Sequence, residues 1–146
     1  MTGAEKPVRF AAPPETLDDR PDPLLRQVMS DRLLAVTPAT PVRTALEAML
    51  AQDVHHLPVL DGHHCRGMAT EADLLRGIAA QRSPLGWTVL RVADVHGPAL
   101  LLPGTARLSE AARLMTDRGR DAVLVETGGR IRGIVTATDL VRRWRP

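Results

Sequence analysis

Two copies of one pattern constrain this chain more than any other feature. The first reads Gly67-Met68-Ala69-Thr70-Glu71-Ala72-Asp73-Leu74, and the second Gly133-Ile134-Val135-Thr136-Ala137-Thr138-Asp139-Leu140. Subtracting 73 from 139 gives an offset of 66, and the same offset maps Gly62 onto Gly128 and Arg66 onto Arg132. A duplication at this spacing implies two similar halves, a pseudo-twofold axis and two equivalent clefts where the halves meet.

The segments around each copy repeat one order of elements. In the first half, Leu24, Leu25 and Val28 suggest a helical lead-in, and Leu34-Ala35-Val36 a short strand halted by Thr37-Pro38. Thr40-Pro41 then opens a helix, with Thr40 as N-cap and Pro41 at the first helical position, where its missing N–H costs nothing. Val42, Ala45, Leu46, Met49 and Leu50 fall at helical spacing and predict its buried stripe. Leu57-Pro58-Val59-Leu60, the Asp61-Gly62 turn signal and Arg66 to Ala69 predict a hairpin. Thr70 caps a closing helix with Ala72, Leu75, Ile78 and Ala79 facing inward.

In the second half Val92 to Val95 echo the lead-in, and Leu100-Leu101-Leu102-Pro103 the strand and its stop. Leu108, Ala111, Ala112 and Met115 make the helix stripe, ended by Gly119. Val123 to Val125, Gly128-Gly129 and Ile131 to Val135 make the hairpin, and Leu140, Val141 and Trp144 lie on the last helix. The chain thus divides into a disordered Pro-rich tail at 1–22, a repeat at 23–80, a linker at 81–91 and a repeat at 92–146. Each half is β-α-β-β-α, a mixed α/β (α+β) arrangement too small to cover its own sheet. Packing the helices of the two halves together would bury both.

Composition narrows the function classes. Aromatic residues are 2% of the chain, namely Phe10, Trp87 and Trp144, so stacking platforms for single-stranded nucleic acid are disfavoured. The net charge is +2 with arginines spread along the sequence, a weak footprint for nucleic acid. Cys65 is the single cysteine, which excludes an internal disulfide. No apolar run is long enough to span a membrane and no secretory signal opens the chain, so a cytoplasmic location is expected.

Thr70-x-x-Asp73 and Thr136-x-x-Asp139 each fit a helix capping box. The same carboxylates, held in a first helical turn, also suit a vicinal diol, and helix N–H groups favour phosphate. No Ser/His/Asp or Cys/His arrangement and no phosphate-binding Gly-rich loop accompanies them, so no catalysis is expected.

The order of elements, the Leu57-Pro58-Val59 strand and the paired Gly-x-x-Thr-x-x-Asp ends resemble a tandem pair of CBS domains, a Bateman module, over about residues 24–145. The resemblance implies a regulatory module that dimerises and binds AMP, ADP, ATP or S-adenosylmethionine between its repeats, with no tightly bound cofactor. It implies that Asp73 and Asp139 hold ribose, with Thr70 and Thr136 near the ribose or phosphate. By the same analogy His55 and His56 reach phosphate, Arg120 assists, and the backbones near Val36-Thr37 and Leu102-Pro103 frame the base. Asp121 and Ala122 stand where the second repeat matches the His pair, so the two clefts are expected to differ in affinity. A signal would pass to a separate effector or through self-association.

Two other readings stay open: a ligand-free dimerisation scaffold, and a metal- or nucleic-acid-binding stress protein. His55, His56, His63, His64 and Cys65 crowd positions 55–65, but a hairpin tip at Asp61-Gly62 would separate them and their spacing matches no zinc signature. Arg142, Arg143 and Arg145 suit a helix C-terminus.

Overall fold

The computed structural model describes residues 21–83 and 86–143. Phe10, Pro84, Trp144, Arg145 and nearly all of the 1–22 segment lie outside the described residues. The first half runs α1 (Leu25–Val28), α2 (Val42–Gln52), β1 (His56–Asp61), β2 (His64–Thr70) and α3 (Glu71–Ala79). After a 3-10 turn at Gly86–Val89 come α4 (Val92–Val95), β3 (Leu101–Pro103), α5 (Leu108–Arg118), β4 (Ala122–Thr127), β5 (Arg130–Thr136) and α6 (Ala137–Arg143). No helix among the described residues is long and apolar enough to cross a membrane.

The duplication extends to fine detail. Both hairpins carry a bulge at the matching step, Val59/Leu60 in one and Val125/Glu126 in the other. Both long helices end in a left-handed residue, Asp53 at φ 53° and Gly119 at φ 64°. Asp tolerates this conformation and glycine adopts it freely.

The halves differ where one residue changes the hydrogen-bond inventory. β3 pairs in parallel with β4, and Leu124 N donates to Leu100 O at 2.8 Å. The counterpart of Leu124 is Pro58, which has no N–H to give. The strand expected over Leu34 to Val36 is accordingly reduced to a single parallel bridge from Val36 to Val59.

Three other expectations need correction. α2 starts at Val42 with an extended Pro41 before it, and the Thr40 hydroxyl accepts from Thr37 N at 3.1 Å instead of capping the helix. Leu50 is 78% exposed, because the buried stripe of α2 follows Val42, Ala45 and Met49. On α3 the phase is turned by one residue. The Thr70 cap holds Asp73 inward, so Leu74 is buried and Leu75 is exposed, as are Ala72 and Ala79.

Strand alternation sends each sheet's residues to two faces. Leu57, Val59 and Ala69 pack with Val42, Ala45, Met49 and Leu74 of the helices. Val123, Val125 and Val135 pack likewise with Leu108, Ala111 and Met115. The opposite faces meet each other through Met68, Ala122, Leu124 and Ile134. The halves therefore join sheet to sheet, not helix to helix as the amphipathic stripes suggested.

The lead-ins are exchanged. Leu25 of α1 is buried in the second half's core, and Val92 of α4 in the first half's. Backbone bonds fix the exchange: Leu25 N to Ala106 O at 2.8 Å and Leu108 N to Pro23 O at 2.9 Å on one side, Val92 N to Thr40 O at 2.8 Å and Val42 N to Leu90 O at 2.9 Å on the other. Each exchanged aliphatic side chain removes apolar surface from water, about 1.5–3 kcal/mol when fully buried.

Candidate functional site

Each Thr-x-x-Asp motif forms the wall of a separate cleft. The Asp139 cleft, about 340 Å³, is walled by Ser30, Arg32, Leu33, Val54, Ile134, Thr136 and Arg142 among others. The Asp73 cleft, about 530 Å³, is walled by Thr70, Glu71, Ala72, Arg76, Gly119 and Arg120. His55, His56 and Asp121 border both.

The sequence reading puts the His pair and Asp121 in different clefts. The fold brings them together on the ridge between the two. His56 Nε2 donates to Asp121 Oδ1 at 2.9 Å, with the imidazole 13% exposed. His55 is more open, 3.7 Å from Glu71 and 4.0 Å from Asp53. The two clefts thus share one imidazole–carboxylate pair, because β1 and β4 start side by side across the pseudo-twofold axis.

The two motif carboxylates have different surroundings. Asp73 is buried in a full capping box: its Oδ2 accepts from Thr70 N at 3.0 Å, and Thr70 Oγ1 accepts from Asp73 N at 3.1 Å. Arg76 donates to its other oxygen at 3.2 Å, and Arg120 Nη2 lies 3.8 Å away. Asp139 Oδ2 accepts from Thr136 N at 2.8 Å and Thr136 Oγ1 at 3.2 Å. The Thr136 hydroxyl therefore donates to the carboxylate, and among the described residues no bond from Asp139 N to that hydroxyl is found. Both of these bonds fall on Oδ2, and Oδ1 accepts none among the described residues.

Val36, Thr37 and Leu102 do not reach either cleft. Val36 gives its N–H and C=O to Pro58 and Leu60, and Thr37 bonds Thr40. Leu102 borders a separate hollow with Glu110, Arg113, Leu114 and Asp117. Ser30, Arg32 and Leu33 take the wall position instead. Sequence reasoning missed them because the exchange of lead-ins, which carries this segment across to the other repeat, has no local signal. Ser30 is fixed there by paired backbone bonds with Ile134, both 2.9 Å.

The histidine–cysteine cluster is split by the hairpin. His64 pairs with Asp61 at the turn, while His56 pairs with Thr70 at the far end. No group of three or more His, Cys, Asp or Glu is placed to hold a metal ion among the described residues. Burial pushes the Cys65 thiol above its ordinary value, the Gly67 carbonyl bond opposes this, and the Glu126 charge adds to it, which makes Cys65 a poor nucleophile.

Residues 25–80 and 92–145 each match the family model of the CBS domain. The chain belongs to the CBS domain family. No curated protein matches it. Solved structures with the same fold include other CBS pairs. A protein from Pyrococcus horikoshii, described as uncharacterized and conserved, is 27% identical, with TM-score 0.74, over 86% of this chain and 94% of that one. The CBS domain pair of protein MJ0100, solved with 5-methylthioadenosine and S-adenosyl-L-methionine, is 18% identical, with TM-score 0.75, over 85% and 97%. The CBS domain of a bacterial CNNM/CorC family Mg2+ transporter, solved with ATP, is 18% identical, with TM-score 0.73, over 83% and 86%.

Proposed function

We propose that this CBS pair is a non-catalytic regulatory module that senses an adenosine-containing ligand between its repeats. The observation that carries the reading is the Asp139 carboxylate, whose Oδ1 accepts no bond among the described residues and can therefore take a ribose diol beside an apolar wall of Leu33, Val54 and Ile134. An adenine ring needs such a wall, with a few polar groups to orient it. Arg32, Arg142, His55 and His56 supply donors for phosphate. The ligand complexes of two CBS pairs of the same fold support the ligand class.

The module passes its signal on by self-association or to an effector protein, through a difference in ligand affinity between two states. Leu75 and Val141, 54% and 62% exposed, occupy matching positions 66 apart on α3 and α6 and favour a homodimer.

Thermal shift with AMP, ADP, ATP, S-adenosylmethionine, NAD, zinc and nickel tests the reading. A ligand at a hundredfold over its Kd stabilises the fold by about 2.7 kcal/mol. At least one adenosine ligand should raise Tm, and Asp139→Ala should remove the rise. No shift with any nucleotide would favour a scaffold role, and a shift with zinc alone would move the site to the histidines.

A further inference from the structure

Of the matching residues at which the two clefts differ, one pair exchanges an aliphatic wall residue for a cation. Val54 and Arg120 are 66 apart, and each follows the left-handed residue that ends its helix. Their backbones are held alike, Val54 N bonding Met49 O at 3.1 Å and Arg120 N bonding Met115 O at 3.0 Å. The same geometry therefore delivers two different side chains to equivalent places. Val54 forms part of the apolar wall of the Asp139 cleft.

Arg120 instead reaches across its own cleft. Its Nη2 donates to Pro98 O at 3.0 Å and faces Asp73 Oδ2 at 3.8 Å, and the side chain is only 19% exposed. The guanidinium lies on Gly97: a Cβ added there would stand 3.1 Å from Nη1. Gly97 pairs with Met68 as Ser30 pairs with Ile134, so Gly97 and Pro98 are the second lead-in's version of the Ser30 to Leu33 wall. That wall is open in the Asp139 cleft, whereas none of residues 97–99 borders the Asp73 cleft. The Asp73 cleft is the larger hollow, yet no Leu, Ile or Val lines it. Its carboxylate already serves Thr70 N and two guanidinium groups.

We infer that Arg120 closes the Asp73 cleft from within, so that the chain carries one nucleoside site, the Asp139 cleft, and not two. This inference rests on the adenosine-ligand reading above. Arg120 occupies the space of the base and neutralises the ribose acceptor, and so acts as an internal plug and not as a phosphate ligand.

Titration calorimetry on the full chain with AMP, ATP and S-adenosylmethionine in turn is the test. The wild type should bind one equivalent, losing it in Asp139→Asn and keeping it in Asp73→Asn. Arg120→Val, which copies Val54, should raise the stoichiometry to two, and adding Asp73→Asn should return it to one. Two equivalents in the wild type, a single site that depends on Asp73, or unchanged or weakened binding in a folded Arg120→Val would overturn the plug while leaving ligand sensing intact. Should Arg120→Val fail to fold, the two Asp→Asn variants still decide which cleft is open. No binding of any of the three to the wild type would overturn both the plug and the reading beneath it.

Discussion

Thr70 and Thr136 stand at matching positions and make opposite use of the same hydroxyl. Thr70 Oγ1 accepts from the helix backbone at Asp73 N, whereas Thr136 Oγ1 donates to the Asp139 carboxylate. Removing a capping acceptor leaves a helix N–H without its partner, and typically costs about 1 kcal/mol. Thr70→Ala should therefore lower stability by about 1 kcal/mol in urea denaturation, and Thr136→Ala by clearly less. Equal losses would show that the second threonine also acts as a cap. The motif itself was legible in the sequence, and so was its capping role in the first repeat. The difference between the copies was not, because a rotamer decides whether a hydroxyl donates or accepts. His56 and Asp121 make the same point. Each was visible as a group that could meet or repel phosphate, but only the fold shows them bonded to one another.

At the scale of elements, the crossing of each lead-in over a hairpin strand requires glycine. Gly67 lies under His96 and the Gly97 carbonyl, and Gly133 under Met29 and the Ser30 carbonyl. A Cβ at Gly133 would stand 2.8 Å from Ser30 O, a backbone atom that cannot step aside without moving the wall of the Asp139 cleft. Gly67→Ala and Gly133→Ala should each cost about 1–3 kcal/mol by overpacking, measured by thermal or chemical denaturation. Gly133→Ala should also weaken nucleotide binding more than Gly67→Ala does. The hairpins were legible because alternation and a turn residue are local signals. The burial phase of α3 was not. Leu75 and Leu74 are equally apolar, and what turns the helix is Asp73, a carboxylate drawn inward by its own cap. The missing first-half strand was latent in Pro58, since a missing N–H can be read from sequence once the pairing partner is known.

For the whole molecule, the duplication predicted two halves and two clefts, and both are present. It did not predict which half owns which lead-in. Periodicity reports that Leu25 is apolar at the right spacing, but not which core receives it. Leu25→Ala should destabilise the protein by about 2–5 kcal/mol. The effect should be read first in the second repeat: hydrogen exchange should accelerate at Val123 and Val135, some hundred residues away along the chain, before it does at Leu57 or Val59. Faster exchange confined to the first repeat would contradict the exchanged core.

That exchange also sets an order of events during synthesis. The first sheet's core lacks Val92 until the residues past the linker have left the ribosome. Leu25, made before either sheet, has no partner until Ala106 and then Val123, Val125 and Val135 arrive. Contacts this far apart in sequence close slowly, because the loop entropy must be overcome before the contacts form. Neither half can finish as a private event, and the nascent chain holds the apolar α1 in reserve until β4 and β5 are made.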